Sequence, residues 1–196
     1  MTIVNPNFQS TFADDEAVVE SCFYAAKSLL SGSEMLKKAV ARGGCLELIG
    51  EALSEHADVG GVATNGCETI GVLVANCKPV QKALKKTATI VPAIAKVLEI
   101  HTLSEPVIKS AFDCIEECTT STTSGNTIFL TKLASAELDG VFLVDNILKE
   151  HKGANKDLLE SGLKIRAKLA KFEEKKKDEE KTVSRSSGAQ AIPTII

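Results

Sequence analysis

Three stretches of the chain, Leu46-Glu-Leu-Ile-Gly-Glu-Ala-Leu53, Val91-Pro-Ala-Ile-Ala-Lys-Val-Leu98 and Val141-Phe-Leu-Val-Asp-Asn-Ile-Leu148, superpose at offsets of 45 and 50 residues. Each is followed three residues later by a histidine: His56, His101 and His151. A second block repeats at the same offsets. Ser21, Gly66, Ala111 and Ser161 align, with Ala25/Ile70/Ile115/Ile165 four residues on and Leu29/Val74/Thr119/Leu169 eight residues on. A unit of this length cannot bury its own apolar face, so the units must stack to build a shared core. The small residues that lead the second block suit close helix contact.

Both blocks space their apolar residues with helical period, and neither alternates long enough for a strand. The sequence therefore reads as all-α. Breaks fall at Ser31-Gly-Ser33, Gly43-Gly44, His56 to Gly61, Asn76 to Pro79, Ser104-Glu-Pro106, Thr119 to Thr127 and Lys152-Gly-Ala-Asn155. Ser33, Asp58 and Ser104 have N-cap chemistry, and Pro106 fits a first helical turn.

The stretch Ala25-Ala-Lys-Ser-Leu-Leu-Ser-Gly-Ser-Glu-Met-Leu-Lys-Lys-Ala-Val-Ala-Arg-Gly-Gly-Cys-Leu-Glu-Leu-Ile49 resembles the armadillo-repeat pattern. That pattern is a third helix ending in Leu, a Gly-containing turn, a short helix ending Ala-Val, a Gly, and the next apolar helix. Pro92 falls where the family often opens its second helix. The resemblance covers residues 16–172, as a lone third helix (16–31) and repeats at 33–77, 79–120 and 121–172. It implies a right-handed α-solenoid of about 3.5 repeats. Residues 1–15 form an N-terminal segment expected to be partly flexible. Residues 173–181 continue the last helix as a charged extension, and 182–196 form a flexible tail. HEAT-type repeats are the close structural alternative.

In armadillo proteins the third helices line a concave groove, where an Asn ladder, often with Trp one turn earlier, clamps an extended peptide. Here the Asn position maps to Ser28, Leu73, Cys118 and Lys168, and the Trp position to Tyr24, Thr69, Cys114 and Lys164. No rung keeps Asn or Trp, so a helix or a partner domain suits the groove better than an extended peptide. Third helices starting near Glu16, Gly60, Glu105 and Lys156 place Tyr24, Ser28, Asn65, Thr69, Leu73, Cys114 and Cys118 along it. Tyr24 is the only Tyr in a chain without Trp. The resemblance implies a non-catalytic protein-binding adaptor or assembly subunit. The alternative is a regulatory subunit or chaperone-like factor acting on a partner enzyme.

Charge is uneven along the 196 residues. Residues 164–196 carry nine Lys/Arg against five Asp/Glu (+4), leaving fourteen against twenty-one (−7) on residues 1–163. An acidic body favours a partner with some positive charge. With aromatic content at 4% and net charge −3, neither a base-stacking platform nor a general nucleic-acid grip is expected. No run of about 18 apolar residues is present, so no membrane partner is expected. Asp14, Asp15 and Glu16 stand where a signal peptide would be apolar, and no Asn-x-Ser/Thr sequon occurs. The expected compartment is the cytosol, or else the nucleus, with all six cysteines reduced.

The remaining motifs read structurally. Cys114 and Cys118 share a helix face but lack the further ligands of a zinc site, so no metal is expected. The three histidines form a row, one per repeat, at second-helix ends facing exposed carbonyls. Gly61-x4-Gly66 is followed by Cys67 and Glu68 where a phosphate-binding loop needs Lys and Ser/Thr, so no nucleotide cofactor is expected. No catalytic constellation is present, and an enzyme is not expected. Leu158, Gly162, Ile165, Leu169 and Phe172 form the apolar stripe of the last helix. Thr194 and Ile196 resemble the C-terminal ligands that PDZ domains take up by strand addition. The Ser/Thr run at Thr119 to Thr127 reads as a flexible loop, and self-association through the solenoid ends is a secondary expectation.

Overall fold

A computed structural model describes residues 15–120, 125–135, 137–153 and 155–187. Among these residues all regular structure is helical: α1 (Glu16–Ser31), α2 (Glu34–Arg42), α3 (Cys45–Glu55), α4 (Gly60–Val74), α5 (Lys78–Leu84), α6 (Ile90–Ile100), α7 (Glu105–Thr120), α8 (Gly125–Leu133), α9 (Gly140–Glu150) and α10 (Lys156–Ser187).

Local chemistry sets most of these boundaries. The Asp15 carboxylate accepts from the Ala17 and Val18 amides at the start of α1, and the Ser33 hydroxyl accepts from Leu36 at the start of α2. Gly44, at φ 73°, turns the chain between α2 and α3 in a conformation that costs a side chain strain. Pro79 and Pro106 sit in the first turns of α5 and α7, where no intrahelical partner is lost. Asp58 does not cap α4. The Val59 amide bonds the His56 carbonyl, which closes a turn, makes Val59 the cap residue and leaves Asp58 exposed outside it.

The helices pack in rows. Helices α1, α4, α7 and α10 pack one against the next, as do α3, α6 and α9, and α2, α5 and α8. The core lies between the rows, where Leu53, Ile70, Leu73, Ile94, Leu98, Ile108 and Phe112 are fully buried. Two glycines bring helices of the core close together. A Cβ on Gly50 would stand 2.3 Å from the hydroxyl of Thr89, the N-cap of α6, and one on Gly66 2.8 Å from a Leu53 methyl. Only glycine admits these approaches.

Side-chain hydrogen bonds within the rows carry the period read from the sequence. The Thr69 hydroxyl donates to the Phe23 carbonyl at 3.0 Å across 46 residues. Lys96 donates to the Ser54 carbonyl at 2.7 Å across 42, and Lys132 to that of Thr87 at 2.7 Å across 45. The Thr89 hydroxyl and the Ala88 and Thr89 amides donate to Glu47 across 41 to 42 residues. Partial burial works against the Glu47 charge, but these donors outweigh it and hold the carboxyl below its ordinary range.

His56, His101 and His151 are the C-cap residues of α3, α6 and α9. Their rings do not simply serve their own helix ends. His101 Nε2 donates to the Ala57 carbonyl at 2.7 Å and His151 Nε2 to the Thr102 carbonyl at 2.8 Å, each the residue just after the preceding histidine. Successive turns are thus tied ring to carbonyl.

Three boundaries differ from the sequence reading. Helix α7 runs through Thr120 and α8 starts at Gly125, so the ends of the Ser/Thr stretch are helical, and Thr119 is buried with its hydroxyl on the Ile115 carbonyl. Helix α10 runs to Ser187, past the break expected at 181, with no glycine or proline between Gly162 and Gly188 to end it. Of the N-terminal segment, only Asp15 is described. Thr194 and Ile196 lie outside the described residues.

Candidate functional site

The four helices of the first row begin at Glu16, Gly60, Glu105 and Lys156, the residues at which the repeat places its third helices. Of the groove residues expected from the sequence, the structure leaves three accessible. Tyr24 is 60% exposed, Ser28 is exposed and Asn65 is half-buried. Cys114, 1% exposed, reaches only the bottom of the cavity described below; the other three are corrected: Thr69 and Leu73 are fully buried, and Cys118 retains 3% exposure. They face the neighbouring helix of the row rather than solvent, as the Thr69 bond to Phe23 shows. Tyr24 occupies the position equivalent to Thr69, and no earlier helix of the row covers it among the described residues.

In α4 and α7 the accessible face lies one residue earlier, at Glu68, Val72, Asp113 and Glu117. A cavity of about 280 Å³ opens between α1, α4 and α7. Cys67, Gly71 and Cys114 form its floor, Val72 and Ala75 one side, and Lys27, Glu68, Ser110, Asp113 and Glu117 complete its wall. Lys27 organises one corner. Its ammonium donates to Asn65 Oδ1 at 3.2 Å and to Glu68, and sits 5.1 Å from the centre of the Tyr24 ring. Asp113 is held through both oxygens by Lys109, one turn earlier on α7. A second depression of about 440 Å³ shares Val72 and Ala75 and continues the groove past Gly32 toward Lys37.

The thiols of the floor are inert as nucleophiles. Burial pushes Cys67 up to about 12, and the hydrogen bond with Cys118, followed by burial, drives Cys114 well above the ordinary thiol range. Because Cys67 binds its proton more tightly folded than unfolded, stability from the buried thiol is fully present below about pH 9 and is lost between there and pH 12. The unfolding free energy from urea titration is therefore expected to hold between pH 7 and 8.5 and to fall above 9, by up to about 1.4 kcal/mol per pH unit for each such thiol. Cys67→Ala should make that fall shallower; an unchanged slope would show that Cys67 does not drive it.

Among the described residues no group of three or more His, Cys, Asp or Glu is placed to hold a metal ion. No described helix is long and apolar enough to cross a membrane. The arrangement offers a partly apolar slot with a carboxylate rim. Sequence reasoning missed Glu68, Val72, Ser110, Asp113 and Glu117. The signal was present in the charges at 68, 113 and 117, which cannot share the buried face of their helices. No family model matches the chain, and no curated protein or solved structure matches it either.

Proposed function

We propose that the chain is a short right-handed armadillo-like solenoid of about three and a half repeats, acting without catalysis as a protein-binding adaptor or assembly subunit. In this reading α1, α4, α7 and α10 line the concave groove. The carrying observation is the open slot between α1, α4 and α7, whose side chains come from repeat-equivalent positions: Lys27, Val72 and Glu117 in one series, Glu68 and Asp113 in another. The row order of the helices and the 38-to-50-residue span of their ties support it. A slot of about 280 Å³ has room for one side chain, which fits a docking surface whose affinity comes from several small contacts.

The test is a selection of 12-residue displayed peptides against the intact chain, followed by affinity measurement on variants. Selected peptides are expected to lose about tenfold or more on Val72→Asp or Tyr24→Ala, and to be unaffected by Lys96→Glu on α6. Peptides that bind both groove variants normally would overturn the assignment of this face.

A further inference from the structure

The slot carries one polar group that its own fold leaves unused. Ser110 is 8% exposed, it lines the cavity, and its hydroxyl has no hydrogen-bond partner among the described residues. A helical serine normally returns its hydroxyl to the carbonyl one turn back, as Ser21 and Ser28 do here. A buried hydroxyl without a partner costs stability, so a ligand that satisfies it gains what folding gave up.

The charges around it select the ligand. Ser110, Asp113, Cys114 and Glu117 follow one another at i, i+3, i+4 and i+7, which puts them on one face of α7. Glu68 is neutralised by Lys27 and Asp113 by Lys109, while Glu117 has no ion-pair partner among the described residues. The uncompensated charge at the slot is negative, so an anion is disfavoured. With Lys27 in the wall and Asp113 occupied, too few oxygen donors remain for a metal ion. The floor of Cys67, Gly71 and Cys114 and the side formed by Val72 and Ala75 are apolar.

A ligand that satisfies all of these is a side chain with a hydrocarbon stem and a cationic, multiply donating head. Resting on the reading of this face as a binding groove, we infer that the slot takes an arginine side chain from the protein partner. Its methylenes lie on Gly71 and Val72, and its guanidinium donates to the Ser110 hydroxyl and the Glu117 carboxylate. Arginine fits better than lysine because its flat fork serves two acceptors at once and sheds water more readily.

The probes are N-acetyl-arginine methylamide, its neutral isostere N-acetyl-citrulline methylamide, and N-acetyl-leucine methylamide, titrated at millimolar concentration into the intact ¹⁵N-labelled chain. The arginine probe is expected to shift the amides of Gly71, Val72, Ser110 and Glu117 saturably. Citrulline should bind about fivefold more weakly or less. Glu117→Gln should weaken arginine about threefold or more without changing citrulline, and Ser110→Ala should weaken arginine too. Equal binding of arginine and citrulline, or indifference to Glu117→Gln, would overturn the inference. If leucine alone shifts these amides, the arginine assignment falls and the groove reading stands. If no probe shifts them and the selected peptides map to another face, both fall.

Discussion

The chain carrying Leu73→Glu is expected to lose its cooperative thermal transition altogether. Leu73 is fully buried in α4 within the core. A carboxylate there has no cation to pair with and must desolvate or protonate, either of which costs several kcal/mol. Against a total stability of order 5 to 15 kcal/mol, that is enough to empty the native state. Leu73→Met, which keeps volume and hydrophobicity, should melt within a few degrees of the parent. Circular dichroism melts of the two variants check this. A Leu73→Glu chain that melts normally would put the residue back on the surface.

The second large effect is expected at Leu98. It is fully buried in α6, between α3 and α9 in its row, and Leu98→Ala should cost about 2 to 5 kcal/mol. Leu53→Ala, equally buried in α3, belongs in the same range. Leu148 holds the equivalent position by repeat register but is only half-buried, and reaches toward Gly162 of α10. Its truncation should cost less, about 2 kcal/mol or below. Urea midpoints at constant m-value decide the order. A Leu98 variant no weaker than the Leu148 variant would break the equivalence of the interior position.

The starts of the four long helices were legible in the sequence because the offsets of 45 and 50 fix them independently of local propensity. Thr69 and Cys118 show what was not. Both were assigned to the groove by their position in the repeat, yet one residue along a helix is about 100° around its axis. The solvent face belongs to Glu68 and Glu117. Whether a position faces solvent or the neighbouring helix of the row depends on how closely the helices approach. That approach is set by pairs distant in sequence, such as Gly66 against Leu53 and Phe23, and Gly71 against Cys114. Tyr24 was legible as exposed, although its exposure follows from its place at the start of the row. Ser110 was illegible: a lone serine in an amphipathic helix gives no sign that its hydroxyl goes unused.

The ties within the rows also set how the chain reaches its native state. The hydrogen bonds that join one helix to the next in its row close loops of 38 to 50 residues. The entropy of closing each loop is then nearly constant from one end of the molecule to the other. Search time should therefore depend on docking one unit onto an existing neighbour, with growth outward from wherever the first pair condenses. On that basis the middle units, which have a neighbour on each side, are the last to exchange their amide protons for deuterium, and the outermost helices fray first.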